Sequence, residues 1–226
     1  MYQTGLLCAA LALSGCLALP SVQTGRALGR DVGEFRVTAT SARYADVSIG
    51  GARDGYADGG FDEGDHPADY VPVVGVEGAF GVGGRTDVAV GFNAAQFLSA
   101  RVKHQALGTA SSGLAVGVGA EGGANLGAVV FMGAAYLYGS VPVYVSAHPR
   151  SGVALYAVPR YTVVTVAPFA PPPDAGRTET ESWRFPGLAY GVVLGERHRV
   201  AVELAHVDSA SALPSQVSVA FVLRAE

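Results

Sequence analysis

From Glu34 to the last residues, apolar and polar side chains alternate almost one for one, and the alternation is cut by short clusters rich in Gly, Pro, Asp and Asn. Period-two alternation between turn residues is the mark of β-strands with two unlike faces, and no long window shows the 3.6-residue period of a helix. The turn signals divide the chain into ten predicted strands, at residues 34–44, 71–80, 85–92, 96–106, 112–121, 140–148, 152–166, 182–194, 198–206 and 216–224. Residues 126–138, LGAVVFMGAAYLY, fall between the fifth and sixth and read as loop. If they formed a hairpin the count would be twelve, and merging segments across turn signals would reduce it to eight.

The two faces differ sharply. In the ninth strand Val200, Val202 and Leu204 oppose Arg199, Ala201 and Glu203, and in the tenth Val217, Val219, Phe221 and Leu223 oppose Ser218, Ala220, Val222 and Arg224. The fourth sets Leu98, Ala100 and Val102 against Ser99, Arg101, Lys103 and Gln105. Alternation fits a soluble sheet with its apolar face inward or a transmembrane barrel with that face outward. Small residues favour the barrel, because the charged face is filled out with Ala115, Gly117, Gly119, Gly187, Ala189 and Gly191, which suit a crowded interior. Connection lengths agree. The even-numbered connections are about five residues or fewer and most odd-numbered ones are about nine or more, the short-turn and long-loop asymmetry of barrels that cross an outer membrane. The predicted fold is an all-β, closed, antiparallel up-and-down transmembrane β-barrel over residues 34–226, in which closure leaves no unpaired edge in lipid.

Ahead of the barrel, residues 5–13, GLLCAALAL, form an apolar stretch of signal-peptide length, followed by Leu13-Ser14-Gly15-Cys16. The LSGC sequence resembles the lipobox of bacterial lipoproteins, and with the Gly-rich strands behind it the chain resembles small lipid-anchored outer-membrane β-barrel proteins. The resemblance implies a signal peptide over residues 1–15, a lipidated Cys16 as mature N-terminus, a tether over residues 16–33, and a location in the bacterial outer membrane with the N-terminus periplasmic. It is one of architecture and carries over no catalytic residue. Such barrels commonly end in an aromatic residue, whereas here Phe221 is followed by Val-Leu-Arg-Ala-Glu. The other cysteine, Cys8, lies within the signal, so no disulfide is expected in the mature chain.

Composition narrows the function. A net charge of -4 offers no handle for nucleic acid, and no apolar run approaches the ~20 residues of a transmembrane helix. The predicted lumen collects Arg36, Arg101, Lys103, Arg160, Arg199 and Arg224 against Glu77, Asp87, Glu121 and Glu203. Buried charges must be paired or hydrated, so these ten form either an ion-pair plug or a basic-lined path for small anions. Between the first two strands, Asp54, Asp58, Asp62, Glu63, Asp65 and Asp69 alternate with glycines. Oxygen ligands of this kind can bind divalent cations such as calcium, but the spacing matches no established calcium loop, and a solvated acidic loop is the better reading, with calcium the alternative. The five histidines, His66, His104, His148, His198 and His206, have no metal spacing. His206, Asp208, Ser209 and Ser211 cluster at one strand end without matching a hydrolase motif. Tyr136, Tyr138, Tyr144, Tyr156, Tyr161, Trp183, Phe185 and Tyr190 are expected at the headgroup girdles.

The sequence therefore reads as a non-enzymatic, lipid-anchored outer-membrane barrel with no cofactor, whose partners are membrane lipid and, at the acidic loop, divalent cations, and whose role is structural, surface-interactive or that of a narrow conduit. The rivals are a periplasmic lipocalin-like lipoprotein with its apolar faces turned inward around a ligand, and an outer-membrane barrel hydrolase.

Overall fold

Ten antiparallel strands hydrogen-bond in a closed ring in the computed structural model, which describes residues 22–43, 70–94, 97–109, 112–125, 134–168, 181–207 and 216–225. They are β1 (Gly33–Arg43), β2 (Tyr70–Gly81), β3 (Thr86–Asn93), β4 (Phe97–Leu107), β5 (Leu114–Asn125), β6 (Ala134–Arg150), β7 (Val153–Pro168), β8 (Glu181–Leu194), β9 (His198–Val207) and β10 (Gln216–Ala225). Each strand pairs with its neighbours in sequence, and β1 closes the ring on β10 from Gly33↔Ala225 to Ala42↔Gln216. Ten strands complete the circle, so counts of twelve and eight are ruled out. The stretch 126–138 is not all loop: β5 runs on to Asn125 and β6 begins at Ala134, where Ala134 to Val141 pair with Tyr161 to Pro168 of β7.

The orientation of the two faces settles what kind of barrel this is. Leu98, Val102, Val200, Val202, Val219 and Phe221 are exposed on the outer surface, among many other large apolar side chains that point the same way. Arg101, Lys103, Glu203, Gln216 and Ser218, one residue out of phase, are buried inside. An apolar exterior around a polar interior is the arrangement of a membrane-spanning barrel. It overturns the calyx reading, which needed the apolar faces inward.

One end of the ring is closed by tight turns. β6 and β7 are joined through Ser151-Gly152 and β8 and β9 through Gly195, Glu196 and Arg197. Gly108, Gly152 and Gly195 at this end have φ of 91°, 71° and 105°, a backbone region that glycine enters without steric cost. Gly33 and Ala225 lie at the same end.

Small residues inside the wall make room for large ones. Tyr138 and Tyr144 on β6 face Gly123 and Gly117 of β5 in register, and Tyr156 on β7 faces Gly191 of β8. A Cβ at Gly123 would come within 2.5 Å of the Tyr138 ring, and one at Gly191 within 2.7 Å of the Tyr156 hydroxyl. These three tyrosines are buried in the lumen, which corrects their assignment to the headgroup girdles. Tyr161 and Tyr190, of opposite phase, are exposed on the outer face as expected. Strand parity explains the split, since Tyr138 and Tyr144 share the phase of Ser140 and Ser146 while Leu137 and Val141 take the other face.

Candidate functional site

The lumen is the part of the molecule where sequence has placed chemistry, and its charges are brought into one network. Arg36 on β1 reaches Glu77 on β2 at 2.5 Å and Glu34, two residues back on its own strand, at 2.9 Å. Arg101 on β4 shares the same Glu77 oxygen at 2.7 Å. Lys103 meets Asp87 on β3 at 2.9 Å, and Arg199 on β9 pairs with Glu34. Thus Glu77 and Glu34 each serve two guanidiniums. Charge-assisted bonds in a confined space are stronger than surface ion pairs, and they hold only while each buried charge keeps its partner.

Two of the acids use tyrosines. The Tyr156 hydroxyl donates to Glu203 at 3.0 Å and the Tyr138 hydroxyl to Glu121 at 3.1 Å, while the Lys103 ammonium lies 5.8 Å from the centre of the Tyr144 ring. Hydroxyl pairs bridge the wall elsewhere, with Thr40 against Ser218 at 2.9 Å and Thr162 donating to Ser140 at 3.0 Å. Arg160 packs its methylene stem over Gly187, and Arg224 reaches the Leu28 carbonyl at 3.3 Å. All ten lumen charges expected from sequence therefore face the interior. Glu34 was missed, although it has the same strand parity as Arg36 and could have been found by that rule.

The larger surprise is residues 22–32, expected to be a tether. They enter the barrel at the short-turn end and run up its interior. Asp31 donates its backbone N–H to the Gly81 carbonyl at 3.2 Å, and Gly81 returns a bond to Val32 at 3.0 Å. Going inward, the Leu28 N–H donates to Asp87 at 2.8 Å and the Ala27 N–H to Gln105 at 2.8 Å. The Lys103 ammonium then caps the carbonyls of Arg26 and Thr24, at 2.7 and 3.1 Å. The Gly25 N–H donates to Ser146 at 2.9 Å, where a Cβ would fall 2.5 Å from the Ala115 carbonyl, so only glycine fits this approach. The Gln23 amide lies against Arg36 and Arg101, and with its oxygen toward them accepts from Arg36 at 2.8 Å. The segment thus climbs the inward face of β4 from Gln105 past Lys103 to Arg101. A backbone without secondary structure of its own is tolerated at membrane depth because the lumen side chains satisfy its polar groups.

Above this segment a gap of about 50 Å³ lies among Val22, Thr38, Asn93, Ser99 and Glu121, room for a few waters. Below it, at the short-turn end, a cavity of about 510 Å³ opens beside Arg26. That guanidinium donates to the Ser112 carbonyl.

The remaining candidates are less developed. Cys16 and the six acidic residues Asp54, Asp58, Asp62, Glu63, Asp65 and Asp69 lie outside the described residues, as do His66, Asp208, Ser209 and Ser211. His206 stacks on Tyr190 with ring centres 5.9 Å apart, an ordinary packing contact. Among the described residues no group of three or more His, Cys, Asp or Glu is placed to hold a metal ion, and no helix is long and apolar enough to cross a membrane.

No protein-family model matches the sequence, and no curated protein matches it. Among solved structures, the N-terminal β-barrel domain of OprF from Pseudomonas aeruginosa is similar at 6% identity and a TM-score of 0.36, covering 87% of this chain and 99% of that one. Ail, the attachment invasion locus protein of Yersinia pestis, is similar at 12% identity and a TM-score of 0.30, over 86% and 96% of the two chains. The translocator domain of the autotransporter NalP from Neisseria meningitidis is similar at 10% identity and a TM-score of 0.34, over 99% and 95%. Likenesses of this size assign no function, and the chain's own geometry has to carry the reading.

Proposed function

We propose that the protein is a sealed outer-membrane β-barrel, lipid-anchored through Cys16, whose role is structural or surface-interactive and not that of an open pore. The observation that carries this is the segment Val22–Val32 seated in the lumen, bonded at successive levels to Asp87, Gln105, Lys103 and Ser146, beside ion pairs that join neighbouring strands along the inner wall. A ten-stranded barrel is only slightly wider than one that side chains fill unaided, so a chain inside it leaves little free cross-section. The short-turn end faces the periplasm by the general asymmetry of such barrels. No reaction is assigned to any residue.

Planar-bilayer recording tests the sealed reading. The intact protein is expected to give no discrete conductance steps, and a variant lacking Gln23–Leu28 to give frequent brief openings. Steady single-channel conductance in the intact protein would replace the plug with a conduit for small ions. The anchor is tested separately by intact-mass measurement of the mature protein, which is expected to begin at an acylated Cys16 and to lose the acyl mass in Cys16→Ser; an unmodified N-terminus elsewhere removes it. Because Val22 lies inside the lumen, an anchor in the periplasmic leaflet requires the chain to turn back within the five residues between Val22 and Cys16, a reach of at most ~20 Å.

A further inference from the structure

The cavity of about 510 Å³ at the short-turn end is not neutral space. Arg26, Arg36, Lys103, Arg150, Arg199 and Arg224 line it. Among the described residues two carboxylates line it, Glu34 and Glu196, and outside the lining Lys103 is paired with Asp87 and Arg36 with Glu77. Glu34 is already shared between Arg36 and Arg199, and Glu196 accepts from the Ser151 hydroxyl. The wall is therefore rich in donors and poor in acceptors. Among the described residues the buried Nε atoms of Arg26, Arg36 and Arg199 have no acceptor, and Arg36 is 5% exposed. A buried donor without a partner is costly, and a guanidinium in that position is matched by an oxyanion that can take two parallel bonds.

We propose that this cavity binds a small oxyanion of the phosphate class, entering from the short-turn end. The fork geometry of arginine suits phosphate better than a spherical ion, and the volume lies within the range of small-molecule sites. Arg26 on the inserted segment and Arg150 at the end of β6 both line the site, so the segment serves both as plug and as part of the pocket wall. The charge excess also draws anions in from solution, an effect that weakens as salt rises. This site is independent of whether the barrel conducts, because it requires only an opening at one end.

Titration calorimetry on the full-length protein in zwitterionic detergent, with pyrophosphate as probe and chloride holding ionic strength constant, tests the assignment. One saturable site per chain is expected. Arg26→Gln and Arg150→Gln, neither of which lies among the ion pairs of the barrel wall, should each weaken binding at least tenfold, and Arg184→Gln on the exposed face of β8 should leave it unchanged. Absence of saturable heat, or binding that ignores both cavity substitutions, overturns the proposal. Repeating the titration in phosphatidylcholine and in phosphatidylglycerol bilayers separates the sources of phosphate. Binding retained in both supports a free anion, and binding lost only in phosphatidylglycerol supports a lipid headgroup in the same site.

Discussion

Glu34→Ala is expected to be among the most destabilising single changes in the wall. Its carboxylate is the partner of both Arg36 and Arg199 and its side chain is almost wholly enclosed, at 3% exposure. Removing one partner of a buried pair leaves an uncompensated charge, at about 3 to 5 kcal/mol. The open cavity beside Arg199 lets water reach the guanidinium left stranded, which places the expected loss near ~3 kcal/mol. Arg36 keeps Glu77 at 2.5 Å and is less affected. Urea unfolding from phosphatidylcholine vesicles, followed by the heat-dependent mobility shift of folded barrels, measures the change. A loss below about 1 kcal/mol, the scale of an exposed surface pair, would mean that the lumen is wet enough to screen these charges.

The second large effect belongs to the opposite face. Val202 and Val219 are directly paired across β9 and β10 near the middle of both strands, and they are 41% and 47% exposed on the exterior. Arginine at either position should cost about 2 to 4 kcal/mol if it sits at the bilayer midplane, and less near an interface. Ala201 and Ala220, paired with one another one residue away and wholly buried, should instead be sensitive to volume: leucine there forces the lumen to repack, at about 1 to 3 kcal/mol. The same unfolding experiment on the four variants distinguishes the faces by the kind of substitution each rejects.

How much of this was legible in the sequence follows from what each residue has to satisfy. The ninth and tenth strands were predicted at 198–206 and 216–224 and occur at His198–Val207 and Gln216–Ala225, because lipid outside and charge inside force strict alternation there. The same pressure put all ten expected charges on the inner wall. Where alternation weakens, the reading weakens with it: LGAVVFMGAAYLY carries apolar residues on both phases, so the start of β6 at Ala134 had no signal in its pattern. The girdle assignment of Tyr138, Tyr144 and Tyr156 failed for a different reason. Aromatic character alone does not fix the side of the wall, and strand parity places these rings opposite Gly123, Gly117 and Gly191, inside it. The inserted segment had no local signal at all. Its residues VQTGRALGRDV have no period because they form no ladder of their own, and what fixes them, Asp87, Gln105, Lys103 and Ser146, lies 59 or more positions away along the chain. Only a closed ring brings those side chains to one place.

The central claim is that the apolar face of every strand meets lipid while the charged face encloses the plug. The most direct test is a nitroxide scan along β9, one label at a time from Arg199 to Ala205 in phosphatidylcholine bilayers, reading collision rates with oxygen dissolved in the lipid and with a water-soluble nickel complex. A period of two is expected: high oxygen access at 200, 202 and 204, and low access to both reagents at 201, 203 and 205. Access to the nickel complex at 200, 202 and 204, or no alternation along the strand, would contradict a membrane-spanning barrel.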